Sequence, residues 1–129
     1  RQLRLANILP VAAIGNDGAN RYGFPGAFTE AVGVGAVDYD GRVASFSGST
    51  PHNVNPFKPD LVGYGVAVNS SVERDYSNNS VYQRFNGTSM ASPYVAGIAA
   101  LYRSENPTLS VDDVSEKLLE TARPVTGSA

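Results

Sequence analysis

The sequence has no cysteine and no tryptophan, and only one methionine and one histidine among its 129 residues. Without cysteine there is no disulfide scaffold, no thiolate zinc site and no thiol nucleophile. That absence suits oxidising and reducing compartments alike, so it does not locate the protein. Charge is also scarce, at 17% of residues against about 25% in ordinary globular chains. Ten Lys and Arg against twelve Asp and Glu leave a net charge of −2. With no basic block, the chain is a poor partner for nucleic acid or an anionic membrane. Long hydrophobic runs are missing too: the longest small and apolar stretch, Tyr94 to Tyr102, is far short of the roughly 20 residues that span a bilayer. The opening Arg1-Gln2-Leu3-Arg4 leads into a short apolar stretch that ends at Pro10 and does not make a signal peptide. The first residue is not Met, which reads as a processed or trimmed product.

What is present suits one folded unit. Apolar residues make up 42% of the chain, enough for a core and too many for disorder. Thirteen glycines and eight prolines imply frequent turns. Residues 7–14 form an apolar run closed by Gly15-Asn16-Asp17-Gly18, and residues 32–37 form another closed by Asp38-Tyr39-Asp40-Gly41. Short continuous apolar runs with turn residues behind them predict strands buried on both faces, although Pro10 weakens the first. Residues 61–68 are a third run, interrupted by Gly63 and Gly65, and residues 70–75 and 80–86 flank a polar turn at 77–79, as in a hairpin. From Ser89 to Ser104, Ala91, Val95, Ile98, Ala99 and Tyr102 recur at helical spacing with no charge before Arg103, predicting a helix buried all round. A second helix is expected from Val111 to Thr121, with Ser110 and Asp113 spaced as a variant capping box. The expected fold class is α/β: part of a mainly parallel sheet flanked by helices, with a β-hairpin before a buried helix.

Two places carry candidate chemistry. Ser89 stands at the start of the apolar helix, where unpaired N–H groups and the positive dipole end favour a developing oxyanion. Its ordinary role there would be an N-cap. Asn16 lies in a Gly-rich turn beyond the C-terminal end of a strand, where open α/β sheets bind ligands. Its side-chain amide is a candidate oxyanion donor, and its ordinary role would be that of a turn residue. A serine nucleophile needs a base. The single histidine, His52, sits in a Pro- and Asn-rich loop that nothing in the sequence brings to Ser89. No histidine follows Ser89 and no G-x-S-x-G elbow is present, which excludes the α/β-hydrolase order. Asp38-Tyr39-Asp40-Gly41 lacks the spacing of a calcium loop and reads as a turn. The triplets at Asn69, Asn78 and Asn86 fit the glycosylation acceptor pattern, and a glycan at Asn86 would block the proposed cleft.

In order along the chain stand Ala13-Ile14-Gly15-Asn16-Asp17-Gly18, Phe24-Pro25-Gly26-Ala27, Val32-Gly33-Val34-Gly35-Ala36-Val37, Ala44-Ser45-Phe46-Ser47, Lys58-Pro59-Asp60-Leu61 and Gly87-Thr88-Ser89-Met90-Ala91-Ser92-Pro93-Tyr94-Val95-Ala96-Gly97. Their order and spacing resemble the subtilisin-like serine proteases over nearly the whole chain, and the Gly-Thr-Ser-Met-Ala block is the most specific part. The resemblance implies that residues 1–129 are a single partial domain, the C-terminal half of a peptidase domain. It implies Ser89 as nucleophile and Asn16 as oxyanion donor beside the Ser89 backbone N–H. It further implies Ala13, Ile14 and Gly15 as a wall of the substrate pocket, with Gly23 and Phe24 as its base. Met90 beside the nucleophile implies sensitivity to oxidation.

The family's Asp and His segments lie upstream and have no counterpart here, Tyr94 stands where His is commoner, and Ile14 stands where a small residue is commoner. The implied parent is a serine endopeptidase acting on polypeptides, extracellular by resemblance. It needs no cofactor, although structural calcium is associated with the family and the loop after Pro25 resembles a weak cation site. The isolated chain is expected to be inactive. Its expected partners are the missing N-terminal half or a self-associated copy, not nucleic acid or membrane. A catalytically dead module that binds an extended peptide is the alternative.

Overall fold

The computed structural model describes residues 1–127, so the chain end at Ala129 lies outside the described residues. Three parallel strands form the centre: β1 (Val11–Ala13), β2 (Val32–Val37) and β3 (Leu61–Tyr64), in the order β1-β2-β3. The middle strand is buried along its whole length, as its unbroken Val, Gly and Ala run predicts. A short helix α1 (Gln2–Leu5) precedes the sheet, and a separate antiparallel ribbon of β4 (Val68–Val72) and β5 (Val81–Phe85) follows it. Helices α2 (Thr88–Glu105) and α3 (Val111–Thr121) complete the chain.

The core is the contact between this sheet and α2. Val32, Val34 and Ala36 of β2 meet Ala91, Val95 and Ala99 of α2, with Val114 and Leu118 of α3 joining behind. Close approach depends on Gly63 and Gly65, the two residues that interrupt the third apolar run. A Cβ on Gly63 would lie 2.9 Å from the Ala91 carbonyl oxygen, and one on Gly65 would lie 2.7 Å from the Gly87 carbonyl oxygen. These interruptions therefore bring the helix start down onto the C-terminal end of β3.

Several boundaries differ from expectation. The first strand spans three residues, not 7–14: Asn7, at φ 61°, and Ile8 close α1 through bonds to Arg4 and Leu3, and Pro10 has no N–H to give a ladder. The third run ends at Tyr64: the Gly65 N–H makes the last ladder bond, to Val37, and its carbonyl then accepts from Gly87 in place of a sheet partner. The ribbon pairs 68–72 with 81–85, leaving a longer loop than the expected three-residue turn. There Asp75 gathers the backbone N–H groups of Ser77 and Asn79. The first long helix is not buried all round: Thr88, Ala91, Val95 and Ala99 are buried, but Leu101 is 69% exposed. The second helix has its expected bounds. Ser110 Oγ accepts from the Asp113 N–H, and the Asp113 carboxylate accepts from the Ser110 N–H and hydroxyl. Those two donors hold the Asp113 carboxyl below the ordinary carboxylate range.

Candidate active site

The start of α2 and the turn after β1 meet at the C-terminal ends of the strands. Gly87 is the N-cap of α2, and its side-chain-free position leaves the first N–H groups without a local acceptor. Asn16, 72 residues upstream, supplies one: its Oδ1 accepts from the Thr88 N–H at 2.8 Å and from the Thr88 hydroxyl at 2.8 Å. The Gly15 N–H in turn donates to Thr88 Oγ1 at 3.2 Å. Ser89 is therefore not the N-cap. It lies in the first turn with its residue exposed to solvent, a position from which a hydroxyl can reach a ligand.

The two sequence candidates converge. The point where a Cβ on Gly87 would sit is 3.6 Å from Asn16 Nδ2, 3.7 Å from the Ser89 backbone nitrogen and 3.4 Å from Met90 Sδ. The carboxamide nitrogen, the first-turn backbone nitrogen beside the serine and a thioether thus surround one point beside Gly87. A carboxamide nitrogen and a first-turn backbone nitrogen within 4 Å of one point at a helix N-terminus form an arrangement suited to a negatively charged oxygen.

The implied pocket residues are also brought together. Gly15, at φ +119°, needs the freedom of glycine to turn the chain after β1, and its carbonyl is held by the Gly48 N–H. The Gly23 N–H donates to the Ile14 carbonyl at 2.7 Å, which lays residues 22–24 beside residues 13–15. Ile14 is fully buried, with its N–H donated to the Val34 carbonyl and its own carbonyl taking the Gly23 N–H, so it backs the pocket region without a free surface of its own. Phe24 is 65% exposed and packs against Tyr22 and Phe28.

His52 is not brought to the site by any bond: it is exposed and lies flat on Phe57, ring centroids 5.4 Å apart. The two carboxylates held below their ordinary range are elsewhere as well, Asp113 at the start of α3 and Asp75 in the ribbon loop, the latter chiefly through the Asn79 N–H. Neither the histidine nor these two carboxylates therefore bonds to Ser89. No group of three His, Asp or Glu side chains is placed to hold a metal among them. In the loop after Pro25, the Glu30 and Ala31 carbonyls accept from Arg4 Nε and Lys58 Nζ.

Sequence reasoning passed over Thr88 and the pair Lys58–Asp60. Lys58 is 1% exposed, bonded to the Ala31 carbonyl and to Asp60, whose carboxylate also takes the Gly33 N–H. This buried cation ties the entry of β2 to the entry of β3 and so fixes the sheet beneath the site. The signal for it was the Lys-Pro-Asp triplet itself.

This is an α/β protein whose parallel sheet and helix N-terminus set a serine beside a carboxamide. The Subtilase family matches residues 2–129, and the chain belongs to that family. It is 49% identical over 122 residues to the subtilisin-like protease PopC of Myxococcus xanthus (strain DK1622), covering 95% of this chain and 26% of that protein. It is 40% identical over 121 residues to the alkaline elastase YaB of Bacillus sp. (strain YaB), covering 94% of this chain and 29% of the elastase. Among solved structures, a cold adapted subtilisin-like serine proteinase superposes with a TM-score of 0.78 at 29% identity, covering 94% of this chain and 41% of that one. The chain thus spans less than half the length of each of these relatives.

Proposed function

We propose that this chain is the C-terminal half of a serine endopeptidase domain and carries that enzyme's nucleophile and oxyanion site. The observation that carries the proposal is the approach of Asn16 Nδ2 and the Ser89 backbone nitrogen to one point beside Gly87. Ser89 Oγ attacks the carbonyl carbon of a peptide bond and gives its proton to a base. The carbonyl oxygen becomes an oxyanion held by the Asn16 carboxamide and the Ser89 N–H. Collapse expels the amine, which takes the proton from the base, and leaves an acyl-enzyme that water then hydrolyses. Ala13, Ile14 and Gly15 form a wall for the residue before the scissile bond, with the buried Ile14 backing it and Gly23 and Phe24 at its base.

The base and the acid that orients it come from the other half of the domain, supplied by an upstream segment; a self-associated copy is the other expected partner, for the uncovered face of α2. Two features support this. The single histidine, His52, lies on Phe57 and not on Ser89, and α2 leaves Leu101 69% exposed and Ile98 37% exposed on its outer face. The substrate class is polypeptide and the location extracellular, both from the family. No helix among the described residues is long and apolar enough to cross a membrane.

The test is an active-serine phosphonate probe, applied to this chain alone and after mixing with an upstream segment that carries Asp and His. Labelling of Ser89 only on mixing is the expected result. Labelling of neither sample would favour a peptide-binding module, and labelling of the chain alone would mean it is self-sufficient.

A further inference from the structure

Residues 47–50 are buried in a row, although three of them carry hydroxyls. A buried serine hydroxyl can serve a backbone group that has no ladder partner. For Ser47 that group is the Ala36 N–H, which donates to its Oγ at 2.9 Å. The pairing of β1 with β2 shows why. Their ladder runs from the Val32 N–H on the Pro10 carbonyl to the Ile14 N–H on the Val34 carbonyl. Continued in the same register, its next rung would set the Ala36 N–H on the Ile14 carbonyl. The chain does otherwise. The Ile14 carbonyl takes the Gly23 N–H at 2.7 Å, and segment 44–47 stands in for the departed strand. The Ala44 N–H donates to the Ala36 carbonyl at 2.9 Å, and Ser47 Oγ accepts from the Ala36 N–H. Gly35 leaves room for this, since a Cβ there would lie 2.8 Å from Ser47 Oγ.

We infer that Ser47 is a positioning residue: its hydroxyl closes the sheet where β1 leaves it, and so keeps the Ile14 carbonyl free to hold Gly23 at the base of the substrate pocket. The inference rests on the proposed pocket roles of residues 13–15, 23 and 24. At 1% exposure Ser47 acts through its neighbours and not on a substrate. On either side of it, the Phe46 carbonyl takes the Gly18 N–H and the Gly48 N–H donates to the Gly15 carbonyl, both at 2.9 Å. The segment that Ser47 anchors therefore also brackets Asn16. Without the hydroxyl, the Ala36 N–H is buried and unpartnered, and the rung open to it in register is the Ile14 carbonyl. Taking that rung carries β1 one step further along the sheet and releases Gly23. A large side chain before the scissile bond reaches the pocket base and loses its seat, whereas a small one does not reach it.

The experiment compares kcat/KM of the full-length enzyme on two peptides that differ only in Phe or Ala before the scissile bond, with active sites counted by phosphonate titration. Ser47→Ala is expected to lower the Phe-to-Ala ratio by about fivefold, as one lost hydrogen bond at the pocket base does. It is also expected to speed hydrogen exchange of the Gly23 amide by about fivefold or more. A ratio between two substrates of one enzyme is independent of the folded fraction, so a merely structural loss does not move it. Ser110→Ala, at the N-cap of α3, is the control for lost stability and is expected to keep the ratio within about twofold of the parent. Should Ser47→Ala not fold, Ser47→Cys sets a weak acceptor at the same point and is expected to lower the ratio by about threefold. The inference is overturned if the ratio stays within about twofold of the parent in the folded variant, or if Gly23 exchanges no faster. Failure of the underlying reading looks different: the active parent would not react with the phosphonate at Ser89.

Discussion

Gly65→Ala tests the link between packing and site most sharply. The added Cβ would lie 2.6 Å from Ala36 Cβ, 2.7 Å from the Gly87 carbonyl oxygen and 3.3 Å from Ala91 Cβ. Ordinary contact begins at 3.4 Å, so the Gly87 turn must retreat by about 0.7 Å. None of the three atoms is the far end of a flexible side chain, and Gly87 is further pinned by its own N–H to the Gly65 carbonyl at 2.8 Å. Overpacking of this kind costs about 1–3 kcal/mol. The same displacement would carry Thr88 away from Asn16, stretching bonds of 2.8 Å to the edge of hydrogen-bond range. Denaturant titration of the full-length enzyme should therefore show a lower midpoint with unchanged slope. Kinetics on the folded fraction should show a fall in kcat larger than any change in KM. A variant with parental stability and parental kcat would refute both the close packing and its connection to the oxyanion site.

Further perturbations follow from other elements. Lys58→Met leaves the Asp60 carboxylate without its cation and should cost about 3 kcal/mol by thermal or denaturant unfolding, the low end for a broken buried pair, because the Asp60 side chain keeps 29% exposure. Ser110→Ala removes the capping box of α3 and should cost about 1 kcal/mol, read as a lower unfolding midpoint. The Asp113 and Asp75 carboxyls are held below 3.8 in the folded chain, so the stability they contribute is complete above that value and fades as pH falls through their lower folded values. An acid titration of stability on Asp113→Asn should show a shallower decline below about pH 4 than the parent. Gly97→Ala meets nothing within 4 Å and should stabilise this chain alone by about 0.5–1 kcal/mol. In the full-length enzyme it should destabilise, since the proposed upstream segment covers that face.

The legible part of the fold was local. The Val-Gly-Val-Gly-Ala-Val run marked β2 at both ends, and Ser110 with Asp113 marked the start of α3, because each signal is complete within a few neighbouring residues. Strand length was less legible where a neighbour decided it: β1 is cut short by α1 and Pro10, and β3 gives way after its last rung to the bond from Gly87 to the Gly65 carbonyl. In the candidate site, Ser89 and Asn16 were visible as residue types at the right kind of position. Their juxtaposition was not, since the cap of α2 comes from 72 residues away and takes a role that local pattern gives to Ser89. The exposed face of α2 was misread for a related reason: an apolar period states that a helix has partners, not that they belong to the same chain segment.

The most direct measurement is a crystal structure of the full-length enzyme with a phosphonate bound. The account predicts a covalent bond from Ser89 Oγ to phosphorus, and a phosphoryl oxygen about 2.7–3.1 Å from both Asn16 Nδ2 and the Ser89 backbone nitrogen. An adduct on another residue, or a phosphoryl oxygen turned away from Asn16, would contradict it.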